Sequence, residues 1–145
     1  MTQESGISFA SYGKDFQEKI VQGLLTDSMW AEQMAEVVDT QFFDLKYLRF
    51  LADRYFTYHQ KYKDFPTLPL LVSIIRDDLK TGNDTILRDQ IVEYLQRIRH
   101  NPNMGDLEYV KDKALDFCRK QAFRGALEEA VDLIQVDKFD SVMDL

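Results

Sequence analysis

Residues 107–134 read LEYVKDKALDFCRKQAFRGALEEAVDLI, a helical pattern followed by a turn and a short, unfinished apolar stretch. A helix of about 28 residues runs roughly 42 Å at 1.5 Å per residue. A compact globule of this chain length has a radius of gyration of only about 15 Å. So long a helix does not fit inside so small a body. It is expected to project, and a projecting helix with an apolar stripe needs a partner. The chain therefore reads as an assembly module before it reads as an enzyme.

Small residues fall at every fourth position of this helix: Ala114, Cys118, Ala122, Ala126 and Ala130. They form an i±4n ridge. Each step of four advances about 40° beyond a full turn, so one straight neighbour does not touch all five. The first part is expected to pack on the globule and the distal part to meet a different helix. Phe123, Leu127, Val131 and Ile134 add a larger apolar stripe beside the ridge. Gly125 weakens the helix by about 1 kcal/mol, which points to tight packing there. After Gln135, Val136 and Asp137 the pattern restarts with Phe139, Val142 and Met143. This reads as the start of a second helix, and the chain as a piece cut inside a helical hairpin.

The rest of the chain divides into shorter helical patterns, and no convincing strand is found. Asp15 and Glu18 resemble a capping box ahead of Phe16, Ile20, Val21, Leu24 and Leu25. Thr26, Asp27 and Ser28 punctuate, and Trp30, Met34 and Val37 mark a second helix. Asp44 caps a third, in which Leu45, Leu48, Leu51, Ala52, Tyr55, Phe56 and His59 repeat at three and four. It stops before Phe65-Pro66, since a residue preceding proline avoids the helical region. Thr67 caps a fourth helix, with Pro69 tolerated in its first turn; its buried face is Leu70, Leu71, Ile74, Ile75 and Leu79. A fifth carries Ile86, Leu87, Ile91, Val92, Leu95 and Ile98, and Asp106 caps the long final helix. The fold class is thus all-α: a loose N-terminus over 1–13, a compact helical bundle over 14–104, and a protruding, truncated hairpin over 105–145.

Composition excludes several functions. The net charge of −7 argues against a primary nucleic-acid groove, which needs a basic stripe. The bases lean toward Arg97 to Arg124 and the acids gather after Gly125, so the long helix has a basic first half and an acidic distal end. The single cysteine precludes an intrachain disulfide. No run reaches the roughly 18 apolar residues that a membrane span requires. A soluble, cytoplasmic protein is expected.

Chemistry-bearing patterns are sparse. The six glycines form neither GxxxxGK[ST] nor GxGxxG, which argues against a phosphate-binding loop. His59 and His100 fall on different elements, and neither has a second His or Cys at ligand spacing, so no metal site is expected. His59 reads as a helix-face residue among Tyr55, Tyr58 and Tyr62, tyrosines that cover the core edge with wet polar tips. The pairs Glu32/Glu36 and Glu128/Asp132 read as solvated faces, and Cys118 as a packed, inert thiol. A helical carboxylate metalloenzyme would carry inward-facing Glu-x-x-His motifs, and none occurs. No catalytic, cofactor-binding or metal-binding residue is assigned.

The order of these patterns resembles the N-terminal domain of DnaB-type replicative helicases. Phe16 through Asp27 resembles its opening helix, with the apolar-x-Gly-x-Leu ending at Val21-Gln22-Gly23-Leu24-Leu25. Trp30 matches a following aromatic, and Gln41-Phe42-Phe43 falls where the family has Asp-Phe-Tyr or similar. Tyr62 through Leu71, with Phe65-Pro66-Thr67, is similar to its loop before the fourth helix. The long helix from Asp106, then a turn and a restart near Lys138, resembles its hairpin; the likeness runs from Asp15 onward. Arg49 stands where many bacterial members have histidine, and the proline-rich lead-in is missing, a pattern that fits a phage-encoded member.

The resemblance implies a non-catalytic collar of a hexameric ring. Its hairpins pair between neighbours, and the collar docks primase and sometimes a helicase loader. ATP and Mg then belong only to a C-terminal motor domain, and DNA contact by the collar is weak or absent. On this reading Ala122, Phe123, Ala126, Leu127, Ala130, Val131 and Ile134 are the hairpin and subunit contacts, acting by packing. A free-standing helical adaptor or regulator of a phage, without a motor, is the alternative.

Overall fold

Gly23 sits where three helices meet. A Cβ built on it would lie 3.2 Å from Cζ3 of Trp30 and 3.4 Å from Cγ of Lys111. Around that close approach the computed structural model, which describes residues 7–80, 82, 84–100 and 105–136, arranges six helices. They are α1 (Lys14–Thr26), α2 (Ser28–Ala35), α3 (Lys46–Tyr62), α4 (Leu68–Lys80), α5 (Thr85–His100) and α6 (Leu107–Gln135). Single 3-10 turns occupy Ala10–Tyr12 and Thr40–Phe42. The protein is all-α, and among the described residues there is no strand.

Helix α1 is the hub. Gln17, Glu18 and every residue from Ile20 to Leu24 are buried, because α2, α3 and α6 all pack on it. Helix α3 carries the layer outward, with α4 and α5 both resting on it. Leu48, Leu51, Ala52 and Tyr55 are buried, following the predicted three-and-four repeat. Deep apolar burial of this kind stabilises at about 25 cal/mol per Å² removed from water.

Within the segment expected to be loose over 1–13, Phe9 is tied into the bundle, while Ala10, Ser11, Tyr12 and Gly13 are exposed. Phe9 is fully buried, and its N–H donates to the Phe42 carbonyl at 2.8 Å. Its ring meets Phe43, Phe42 and Phe117 at 5.2, 5.7 and 5.1 Å between centroids. Edge-on aromatic clusters of this type add to area burial. The buried Gln17 amide ties the same pieces together. Its Nε2 donates to the Phe9 carbonyl at 3.4 Å, and its Oε1 accepts from Asp44 N–H at 2.9 Å.

Several caps differ from the sequence reading. Helix α1 begins one residue after Gly13 (φ 90°), a backbone conformation that glycine adopts without strain, and no side chain caps it. Glu18 is turned inward instead of reaching back to a cap. Leu45, not Asp44, stands at the N-cap of α3, and Asp106 stands at that of α6 without a side-chain capping bond. The caps at Asp27 (to Trp30 N–H, 3.1 Å), Thr67 (to Leu70 N–H, 3.4 Å) and Asp84 (to Leu87 N–H, 2.9 Å) do form. Val37 lies past the end of α2. In α4 and α5, Leu70, Ile86 and Val92 are exposed, while Tyr94 is fully buried.

Candidate protein interface

Helix α6 is one continuous helix of 29 residues. Its first three turns belong to the globule. Leu107, Val110, Lys111, Ala114 and Cys118 are buried against α1 and α2. Phe117 enters the Phe9 cluster, with its ring 5.3 Å from that of Phe42. Lys111 fastens the base of the helix: its Nζ lies 2.7 Å from Asp27 Oδ2 and 3.0 Å from Glu108 Oε2. Asp27 thus caps α2 with one oxygen and anchors α6 with the other. The Lys111 hydrogen bond, helped by the N–H of Trp30, holds the Asp27 carboxyl below its usual range. The same bond raises Lys111.

Beyond Cys118 the helix leaves the body. Phe123 is 67% exposed, and Leu127, Val131 and Ile134 are each about half exposed. Ala122 and Ala126 are exposed as well, and Ala130 is half-buried. The small-residue ridge therefore splits as its drift around the helix requires. Ala114 and Cys118 pack on the globule, and the other three lie on the arm. All seven residues expected at an interface lie on this distal arm. Gly125 has open space around its missing Cβ, so tight packing within this chain does not explain it. The tight glycine is Gly23. The restart at Phe139, Val142 and Met143 lies outside the described residues.

Seen down the helix at 100° per residue, Phe123, Leu127, Val131 and Ile134 share a narrow sector. Glu128 and Asp132 flank one side of it. From Gly125 to Val136 there are three acids and no Lys or Arg. Arg124 pairs with Glu128 at 3.4 Å, an exposed contact. A contiguous apolar stripe of this kind, rimmed by polar residues, has the character of a protein-interaction surface.

The other sequence-level candidates resolve into structural roles. His59 stacks on Phe65 at 4.2 Å, Tyr55 stacks on the same ring at 4.6 Å, and His59 Nε2 lies 3.1 Å from Glu32 Oε1. Glu32 thus pairs across to α3, and not with Glu36. Tyr55 does not keep a wet tip: it is buried, and its hydroxyl donates to the Leu24 carbonyl at 2.7 Å. A shallow cleft of about 630 Å³ lies beside Glu32, Glu36, Asp39 and His59. Among the described residues, no group of three His, Cys, Asp or Glu side chains is placed to hold a metal ion. Burial pushes the Cys118 thiol up to about 12, with Asp39 adding to the effect.

Sequence reasoning missed the buried polar centre of the molecule. Glu18 accepts two hydrogen bonds from Arg97 and one from the Tyr47 hydroxyl at 2.5 Å, while Tyr94 donates to the Glu18 carbonyl at 2.6 Å. Its only signal was a glutamate one turn inside an otherwise apolar helix face. Trp30 Nε1 is buried without a hydrogen-bond partner among the described residues. No described helix is long and apolar enough to cross a membrane. No protein-family model, curated protein or solved structure matches this chain.

Proposed function

We propose that this chain is a non-catalytic, self-associating collar module of the kind found at the N-terminus of DnaB-type replicative helicases. Its task on this reading is ring assembly and the docking of primase or a helicase loader. One observation carries the assembly part: α6 is rigidly anchored at its base and presents Phe123, Leu127, Val131 and Ile134 to solvent on its distal half. An anchored helix loses little further entropy on docking, so its apolar area converts to binding with a smaller ordering cost. The helicase part rests on the order of sequence motifs. In this role the chain works in the cytoplasm of a bacterial cell or infected host, and ATP hydrolysis belongs to a separate motor domain.

The stripe is modest, on the order of a few hundred Å², whereas stable interfaces bury about 800 Å² per partner. Weak self-association is therefore expected from this chain alone. Sedimentation equilibrium over a wide concentration range tests it, with purified primase of the host replication machinery added in a second series. Expected are a mass that rises with concentration, loss of that rise in Leu127→Asp, and co-sedimentation with primase. A chain that stays monomeric throughout and ignores primase overturns the proposal.

A further inference from the structure

Helices α4 and α5 both rest on α3, and between them runs a groove of about 370 Å³. Leu79, Ile91, Val92 and Leu95 are among its lining residues. Its rim carries Arg76, Lys80 and Arg88. Arg76 and Lys80 have no ion pair with a described residue, and Arg88 reaches only its neighbour Asp89, at 3.6 Å. The acid at the groove's end, Asp84, is engaged with Lys46 at 3.1 Å and with the N-terminus of α5. In a chain of net charge −7, this apolar slot is bordered by uncommitted positive charge.

The distal arm has the opposite character. Its apolar sector is flanked on one side by Glu128 and Asp132, four residues apart, with Arg124 on the same side paired to Glu128 at 3.4 Å and no Lys or Arg from Gly125 to Val136. Arg76 and Lys80 are also four residues apart on α4. Residues so spaced sit about 5–6 Å from each other along a helix surface, so the two charge pairs share one pitch. Helix-in-groove recognition needs apolar anchors one turn apart in a slot with charges aligned at its rim. The arm cannot reach the groove of its own chain, because α6 runs unbroken from its packing on α1 and α2.

We propose that the α4–α5 groove receives the distal arm of α6 from a second copy of this chain, with Glu128 and Asp132 facing Arg76 and Lys80. The inference rests on the reading of the arm as a self-association face, and in this chain it puts a neighbour's groove in the place of the hairpin-to-hairpin pairing that the resemblance implies. Arm and groove are different patches, so the contact is head-to-tail, the type that closes into rings when the rotation allows.

Sedimentation equilibrium at two salt concentrations tests this with four chains. These are wild type, Leu127→Asp, the groove variant Arg76→Glu/Lys80→Glu, and the arm variant Glu128→Lys/Asp132→Lys. All substituted side chains are exposed, and circular dichroism checks that each chain folds. Each charge variant alone places like charges on both surfaces and is expected to associate at least about tenfold more weakly. An equimolar mixture of the two charge variants restores association, since every arm then finds an opposite groove; a misfolded variant would not be rescued. If Leu127→Asp abolishes association while the groove variant associates like wild type, the groove assignment is overturned and the arm remains an association face. If wild type never associates, or Leu127→Asp changes nothing, both readings are overturned.

Discussion

Arg97 on α5 clasps Glu18 on α1 through two hydrogen bonds, 2.6 Å from Nη1 to Oε1 and 3.1 Å from Nη2 to Oε2. The carboxylate is almost fully covered, and the guanidinium is partly open to solvent and braced by Glu93 at 2.9 Å. The clasp joins the hub helix to the α4–α5 layer. Replacing Arg97 leaves a buried carboxylate with Tyr47 as its remaining side-chain donor among the described residues. Arg97→Ala should destabilise the fold by about 2 kcal/mol, the scale of a hydrogen bond to a charged group. Urea denaturation measures it, and a loss below a few tenths would mean the pair is ornamental.

Acid should weaken the protein through the same carboxyl. Burial pushes Glu18 up, but the hydrogen bonds from Arg97 and Tyr47, with the charges of Arg97 and Lys14, more than reverse it and hold it below its ordinary range. A carboxyl more acidic in the folded chain contributes fully above its unfolded value and loses that contribution as pH falls through the folded one. Melting temperature should hold near neutrality and decline below about pH 4. Glu18→Gln should melt lower at pH 7, with the gap to wild type narrowing in acid. A gap constant from pH 7 to pH 3 would assign the effect to packing.

The two helical glycines should respond in opposite directions. Gly125→Ala adds a methyl group into open space and should stabilise α6 by up to about 1 kcal/mol. Gly23→Val forces side-chain atoms into the buried Trp30 ring and the Lys111 stem and should cost about 2 kcal/mol. Thermal unfolding of both variants decides this; a tolerated Gly23→Val would show that α2 and α6 yield at their closest approach.

Phe9 holds the N-terminal segment, the 3-10 turn before α3 and the base of α6 in one aromatic cluster. Phe9→Ala should cost about 3–5 kcal/mol, read from the urea midpoint. A loss under about 1 kcal/mol, the scale of an exposed substitution, would contradict its burial.

Cys118 should resist thiol reagents in the native protein. It is buried, and its thiol is raised to about 12, so the reactive thiolate is scarce at pH 8. Labelling should be slow in buffer and fast in urea. Equal rates in both would place the thiol at the surface.

Much of this architecture was written locally. The three-and-four repeat of Leu48, Leu51, Ala52 and Tyr55 anticipated α3, and the stretch from Leu107 to Ile134 anticipated an unbroken final helix and its exposed distal stripe. These features depend on spacing within a few turns, which the chain carries wherever it folds. Phe9 was invisible because one aromatic in an aperiodic segment has no pattern to betray it. His59 and Glu32 met for the same kind of reason: their pairing is set by how α2 lies on α3.

The sequence by itself therefore determined the helices, their breaks and which end of α6 would be greasy. Tertiary structure alone decided where the charges go. Glu18 sits one turn into α1, where a local reading makes it a cap. Folding brings Tyr47, Tyr94 and Arg97 to it from 29, 76 and 79 residues away. A carboxylate enters the interior only where donors converge to replace water, and such convergence belongs to the packed chain as a whole.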